Sequence, residues 1–506
     1  MLLVKGVFIC YNKIKEISME EEKVIEDHNV EIEKEESKRN ETIIDTDQKE
    51  KNGENRCPQC GASDVTYNTK KKKLVCNYCF TEFESEKLDG IVERAKNLEG
   101  EIRTTGTKDI DTTVEDVITL KCGGCGAEVV INTKEEMNAR CHWCRSILSI
   151  NSQIENGATP DVVLPFSLEK KEAQSKINEF VSARQFFAHP IFKKEFTTNN
   201  IMGVFFPYMM VDAKLHANLE GEGEHLVRKY QVDIGDNKEE TRYDADLYQV
   251  GRNFDIAIDD LTIESSSERL NKSSKEKTNN VINAILPFDT ENCVKYKGNY
   301  LVGYTSEKRD VNISHIEEKV DKELKDITRY AINKELSFYD RGIRWDKEEY
   351  DIKGKQWVSA YLPIWLYSYQ DNKKVLHYVA VNGRTGKVMG SIPLNKSKLI
   401  MVSLFIEILC LLLAFFINQV STSSDSIILY ILFSIIPIIF YGVKLSKYRN
   451  KSARHVYEHN TKNEISNLQS IDELIKHEKN LKNSSMRGAN NKKLEGEYVK
   501  VELKKE

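Results

Sequence analysis

A chain of 506 residues with 74 Lys/Arg against 79 Asp/Glu carries a formal charge of −5. No broad basic stripe runs through it, which counts against a surface built mainly for nucleic acid. Eight of its eleven cysteines fall in one duplicated spacing, and the scattered Cys10, Cys293 and Cys410 read as inert.

Residues 1–55 read as a disordered acidic tail. Met19 to Arg56 holds 14 Asp/Glu and 7 Lys/Arg, net −7, with few apolar residues to bury. The apolar patch from Met1 to Cys10 is too short for a secretory signal and lacks a small-residue cleavage site. Residues 1–18 are expected to precede the true start. Lys15-Glu16 can be encoded by AAGGAG, a bacterial ribosome-binding sequence, at a usual distance before Met19.

Two zinc-ribbon patterns follow, over residues 56–86 and 119–150, with a linker at 87–118. Cys57-Pro58-Gln59-Cys60 and Cys76-Asn77-Tyr78-Cys79 are separated by fifteen residues, as are Cys122-Gly123-Gly124-Cys125 and Cys141-His142-Trp143-Cys144. A paired C-x2-C at this separation is the spacing of a tetrahedral four-sulfur cage, with no open position for water, so two structural Zn²⁺ are expected and not catalytic ones. Modules this small build no core, and metal binding supplies about 10–16 kcal/mol of folding energy in comparable peptides. Gly61 and Gly126 follow the first pair of each set, where a knuckle bends back and tolerates positive φ. The competing readings are two disulfides per module or a redox C-x2-C. The duplicated spacing favours zinc.

Residues 156–395 are expected to form a cytoplasmic α+β domain with an approximate internal duplication. Leu164-Pro165-Phe166 is matched by Leu286-Pro287-Phe288, and each precedes an amphipathic helix pattern. Ser167 is the expected cap of the first helix, with Ala173, Ile177, Phe180 and Val181 on one face. Ser314-x-x-Glu317 reads as a capping box for the second, with Ile316, Val320, Leu324, Ile327 and Ala331 on one face. Each half then reaches an aromatic-proline strand, Phe205-Phe206-Pro207-Tyr208-Met209 and Tyr361-Leu362-Pro363-Ile364-Trp365. Those prolines are expected where strands start or at sheet edges.

The C-terminal part reads as a transmembrane hairpin over residues 399–443. Residues 399–420 are 22 residues with one charge, Glu407, and 427–443 are 17 with none. At 1.5 Å per residue these reach about 33 Å and about 25 Å, against a hydrocarbon core of roughly 30 Å. Pro437 is an expected kink in the second. Lys396 and Lys398 flank the first span, and Lys444, Lys447, Arg449, Lys451 and Arg454 follow the second, while the loop between carries one Asp and no Lys or Arg. The positive-inside rule then puts both termini in the cytoplasm, the compartment that keeps zinc thiolates reduced. Glu407, an intramembrane polar residue about 12 Å along its span, must be neutral, paired within the hairpin or set against a partner. Residues 444–506 read as a polar cytoplasmic tail, with a short helix expected around 471–481 and an extended end at 497–503.

The order of acidic start, paired ribbons, V-L-P-F helix, G-V-F-F-P-Y, Y-L-P-I-W, N-G-R-T-G-K-V and membrane hairpin resembles a group of bacterial membrane-anchored double zinc-ribbon proteins. This transcription-factor-IIB-type zinc-ribbon family, of poorly defined role, is often labelled primosomal helicase-like. The resemblance covers residues 55–445. It implies an adaptor at the bacterial cell membrane, with a protein partner of phage-shock type or flotillin-like type and a role in envelope stress.

Enzyme readings fare worse. Gly383-Arg384-Thr385-Gly386-Lys387-Val388 has the wrong glycine spacing for a phosphate loop and a valine where the magnesium-binding hydroxyl belongs, so it reads as a hairpin turn. Gly221-Glu222-Gly223 lacks a third glycine for a dinucleotide fold. His455-Val-Tyr-Glu458-His459 matches an inverted zinc-protease motif, but only a polar tail of 47 residues follows it. His216 and His225 flank a glycine turn and read as solvated strand residues. No catalytic residue and no small-molecule substrate are expected. Nucleic acid is the rival partner: Lys70, Lys71, Lys72 and Lys73 form a basic run at a ribbon tip, with Tyr67 and Tyr78 nearby to stack on bases.

Overall fold

The computed structural model describes residues 41–44, 56–87 (except 63), 95–107, 117–132, 139–233, 239–266, 285–370 (except 287, 334 and 335), 376–420, 426–449, 466–473, 477–478, 480–481, 484–487 and 501–502. The chain is multidomain and mostly β, with few helices. Residues 1–40 and the His455–His459 motif lie outside the described residues.

In chain order, β1 (Glu41–Ile44) is followed by the first ribbon, β2 (Val65–Asn68), β3 (Lys73–Cys76) and β4 (Glu82–Phe83). Then come β5 (Gly100–Thr104), β6 (Val117–Lys121), β7 (Glu128–Asn132), β8 (Gln153–Ile154) and β9 (Val162–Val163). Helices α1 (Lys170–Ser182) and α2 (Pro190–Glu195) precede two very long strands, β10 (Met202–Asp233) and β11 (Glu239–Glu264). After β12 (Val294–Lys295), β13 (Thr305–Glu307) and α3 (Ile313–Asn333) comes a third, β14 (Gly342–Gln370), with β15 (Leu376–Asn382) and β16 (Val388–Gly390). Helices α4 (Lys396–Val420) and α5 (Ser426–Arg449) lead to β17 (Ser466–Glu473), β18 (His477–Glu478), β19 (Asn480–Leu481), β20 (Ser484–Arg487) and β21 (Val501–Glu502).

Where a helix is expected around 471–481, the described residues are in strands. β11 would otherwise present an open ladder edge, and β17, β18 and β20 pair along it antiparallel. The extended end keeps its extended form at β21, which pairs with β19. Within the acidic tail, β1 pairs parallel with β5. The stretch 87–118, read as a linker, contributes β5, which pairs parallel with β14.

The body of the fold is the antiparallel trio β11–β10–β14. β10 has 32 residues, against a usual strand length of about 5–6. Its alternation is plain once seen: Val211, Ala213, Leu215, Ala217 and Leu219 are buried on one face. Helix α3 covers that face with Ile313, Ile316, Val320, Leu324, Ile327 and Ala331, the apolar stripe expected from sequence plus Ile313. The caps differ. α3 begins one residue before Ser314, and Glu317 turns instead to Lys355, 2.8 Å away on β14. α1 is capped by Glu169 and not by Ser167, with Glu172 accepting the Glu169 N–H at 3.2 Å. The Ser167 hydroxyl turns instead to the Arg384 carbonyl, to which it donates at 3.4 Å.

Pro207 and Pro363 lie inside β10 and β14, not where a strand starts. Each sits where one neighbour hands over to the next. β10 pairs with β13 through Phe205 and with β11 from Tyr208 onward. β14 pairs with β9 through Tyr361 and with β15 from Ile364 onward. A missing N–H is tolerated at such a gap. Both prolines still accept through their carbonyls, Pro207 from the Ser265 N–H at 3.1 Å and Pro363 from the Gly383 N–H at 2.9 Å.

The Gly383–Lys387 turn joins β15 to β16 and clamps both Leu-Pro-Phe segments. Arg384 grips Asp289 through both carboxylate oxygens, at 2.9 and 2.6 Å, and donates to the Pro165 carbonyl at 3.2 Å. Asn382 Nδ2 donates to the Ile285 carbonyl at 3.0 Å, and Lys387 donates to that of Leu286. Phe166 and the Pro363 carbonyl lie where a Cβ on Gly383 would have to go.

Among the described residues one helix, over Lys396–Gln419, is long and apolar enough to cross a membrane, and only 6% of its most apolar window is buried. A helix in a soluble core would be covered. The apolar stretch of α5, Tyr430–Leu445, is shorter and contains Pro437 within the helix. Glu407 on α4 accepts a hydrogen bond from Ser434 Oγ on α5 at 2.9 Å.

Candidate metal centres and their docking knuckles

The structure gathers the eight cysteines into two clusters, Cys57/Cys60/Cys76/Cys79 and Cys122/Cys125/Cys141/Cys144, with the sulfurs of each within 4.8 Å of one another. The Sγ–Sγ separations of 3.4 and 3.6 Å recur in both, between first and fourth and between second and third cysteines. A disulfide needs about 2.05 Å. A tetrahedron with Zn–S near 2.3 Å has edges of roughly 3.8 Å. The sulfur cages therefore fit a zinc ion each.

All four knuckles fold alike. The N–H of the residue after the second cysteine returns to the carbonyl of the first: Gly61 to Cys57 at 2.9 Å, Phe80 to Cys76 at 3.0 Å, Gly126 to Cys122 and Arg145 to Cys141 at 2.8 Å. That residue takes positive φ in every case, 72° at Gly61, 60° at Phe80, 82° at Gly126 and 65° at Arg145. The glycines accept this freely, whereas Phe80 and Arg145 are strained there. Around the sulfurs, hydrogen bonding by Thr81 draws Cys79 down to about 6. Hydrogen bonding from Cys141 draws Cys125 down to about 5 and pushes Cys141 up.

The two ribbons differ in what their second knuckle touches. In the second ribbon His142 and Trp143 are buried against the sheet. Trp143 stacks on Phe206 at 5.8 Å, meets Tyr378 edge-on at 5.5 Å and donates Nε1–H to Glu307 at 2.9 Å. His142 Nδ1 lies 3.2 Å from the Thr305 hydroxyl, and Ser368 donates to the His142 carbonyl at 2.6 Å. Strands β6 and β7 of this ribbon continue into the main sheet through β13. In the first ribbon Tyr78, which matches Trp143, is 78% exposed, and Phe80, which matches Arg145, is 75% exposed. That ribbon is instead held from its hairpin side: Tyr67 OH donates to the Phe166 carbonyl at 3.1 Å and Asn299 Nδ2 to that of Val65 at 2.6 Å.

Lys70 to Lys72 lie in the β2–β3 turn, with Lys72 at φ 55°, and Lys73 opens β3. Lys71 pairs with Glu82 at 2.5 Å and Lys73 with Glu84 at 3.7 Å, so half of the basic run faces acids of its own ribbon. Tyr67 is spent on Phe166 and Tyr300, leaving Tyr78 as the exposed ring. His216 and His225 share one strand and point to different partners, Asp255 at 2.7 Å and the Phe338 carbonyl at 2.8 Å. Burial pushes the Cys293 thiol well up, as befits an inert cysteine.

Sequence reading missed one cluster. Asp212, Asp259 and Asp260 bring carboxylate oxygens within 4.8 Å of one another at a β-bulge, where Val211 faces Leu261 but Ala213 faces Ile258. Asp260 has φ 55°, and its N–H donates to Asp212 at 2.7 Å. The adjacent Asp259-Asp260 pair was the only signal, and only the bulge brings Asp212 to it.

No family model matches the chain, and no solved structure does. A relative is found in Bacillus subtilis (strain 168), the uncharacterized protein YdjG, 25% identical over 247 residues. The match covers 47% of this chain and 65% of YdjG, just under two thirds of that protein.

Proposed function

We propose that the chain is a bacterial adaptor, anchored in the cell membrane by α4 and α5 as two spans with both termini cytoplasmic, whose first zinc ribbon docks a protein partner and which carries out no reaction. The observation that carries this reading is the contrast between equivalent knuckles. The second ribbon packs Trp143 against its own sheet, whereas the first leaves Tyr78 in that place, and Phe80 two residues on, exposed among the described residues. Exposed aromatic rings on a four-cysteine knuckle suit an interface anchor. Lys71–Glu82 and Lys73–Glu84 pairing weighs against phosphate binding by the lysine run.

The Glu407–Ser434 bond supports a hairpin of paired spans, since an intramembrane carboxyl needs such a partner. An internal duplication agrees with the matched handovers at Pro207 and Pro363. A partner of phage-shock or flotillin-like type, acting in envelope stress, is the form of this proposal that the resemblance favours.

The test is capture from detergent-solubilised native membranes, comparing the wild type with Tyr78→Ser/Phe80→Ser. These exposed changes leave both cages intact. A protein lost from the variant alone supports the adaptor. Unchanged protein partners, or salt-sensitive nucleic acid as the main co-purifying species, would overturn it.

A further inference from the structure

A short segment beside α4 and α5 is tied to both helices at one end of the pair. On the α4 side, the Asn395 N–H donates to the Phe187 carbonyl at 2.8 Å, the His189 N–H donates to the Pro393 carbonyl at 2.8 Å, and Lys398 Nζ donates to the Phe186 carbonyl at 2.9 Å. On the α5 side, the Tyr448 hydroxyl accepts from the Phe187 N–H at 3.0 Å and donates to the Arg184 carbonyl, while Phe187 packs edge-on to Phe440 at 6.3 Å. The start of α4 and the end of α5 therefore share one brace, residues 184–189.

This brace leaves apolar groups outside. Phe187 and Phe192 are buried, but the residue before each is not: Phe186 is 61% exposed and Ile191 is 36% exposed. Lys193 and Lys194 beside them are exposed. The Lys398 ammonium lies 3.9 Å from the centre of the Phe186 ring. A cation over an exposed aromatic ring, at the level where an apolar helix begins, is the arrangement favoured at a headgroup boundary.

We infer that residues 184–194 form an interfacial platform on the cytoplasmic leaflet: Phe186 and Ile191 enter the boundary between headgroups and acyl chains, and Lys193, Lys194 and Lys398 meet anionic lipid phosphates. The proposal rests on the two-span reading above. Its occupant is fixed by continuity, because the segment is hydrogen-bonded to the residues that begin one apolar helix and end the other. The charge agrees, since basic groups beside a span draw the anionic cytoplasmic surface. The platform would hold the long β body at a set height and tilt over the membrane.

The experiment uses the full chain reconstituted in vesicles of phosphatidylcholine and phosphatidylglycerol carrying acyl-brominated lipid, which quenches nearby tryptophan. Three variants are compared with the wild-type background: Phe186→Trp, Phe405→Trp within α4, and Phe338→Trp, an exposed site by α3. The platform predicts extra quenching for Phe186→Trp and Phe405→Trp but not Phe338→Trp. It also predicts that Lys193→Gln/Lys194→Gln in the Phe186→Trp background loses the part of the quenching that depends on phosphatidylglycerol. Phe405→Trp quenched while Phe186→Trp behaves as Phe338→Trp would overturn the platform and leave the anchor standing. Phe405→Trp unquenched would remove the anchor and the platform with it.

Discussion

At the residue scale, the groups that most constrain the fold are polar ones in apolar places. Asp212 is buried in the β10–β11 bulge, and burial, with the Asp260 and Asp259 charges beside it, pushes its pKa well above the usual carboxylate range. A folded-state pKa raised above the unfolded value, about 3.9, means the folded chain holds the proton more tightly. The stability that proton supplies is complete below the unfolded pKa and is lost as pH rises through the folded one. Asp212→Asn keeps an acceptor for the Asp260 N–H and has no charge to bury. The variant should therefore unfold at a higher temperature than wild type at pH 8, with the gain shrinking toward pH 4. Thermal unfolding in detergent at several pH values checks this. A gain that grows on acidification would contradict the assignment.

At the element scale, what the sequence disclosed depended on whether the signal was local. The cysteine spacing carried both sulfur cages, because two residues between ligands fix a knuckle whatever surrounds it. The stripe on α3 was legible for the same reason, as its period lies within one element. The caps were not. Ser167 and Glu317 match capping patterns, yet tertiary partners, the Arg384 carbonyl and Lys355, claim their side chains. Pro207 and Pro363 were misplaced because a strand interior can lack a ladder neighbour on one side for two residues, which only the pairing partners reveal. The long strands escaped because nothing local says that a β pattern should run for 32 residues. The cysteine spacing is the same in both ribbons, and the knuckles differ in what faces them. That difference has a measurable consequence. Trp143→Ala removes a buried indole and strips Glu307 of a donor, so it should cost about 3–5 kcal/mol. Tyr78→Ala, in the matching exposed position, should stay within about 0.5 kcal/mol of wild type. Comparing unfolding midpoints of the two variants tests whether the second ribbon is docked as described.

At the scale of the whole molecule, the same asymmetry separates the roles of the two metal centres. The second cage closes the β6–β7 hairpin, and β7 pairs with β13, which pairs in turn with β10. Loss of that zinc should unpin a hairpin that is part of the main sheet. The first cage closes a three-stranded sheet of its own, joined to the body by side-chain contacts such as Tyr67–Phe166 and Asn299–Val65. Loss there should unfold the ribbon and leave the long strands paired. Both apo forms are expected to be costly, since metal binding in small sulfur sites supplies about 10–16 kcal/mol, but the loss is shared with the body in one case only. Cys122→Ser/Cys125→Ser should therefore lower the main unfolding transition markedly, while Cys57→Ser/Cys60→Ser should shift it little and abolish partner capture. Metal analysis should find two zinc ions per wild-type chain and one in each variant. If the two variants lowered the main transition equally, the second ribbon would be no more integral to the sheet than the first, and the division of labour between a structural and a recruiting ribbon would fall.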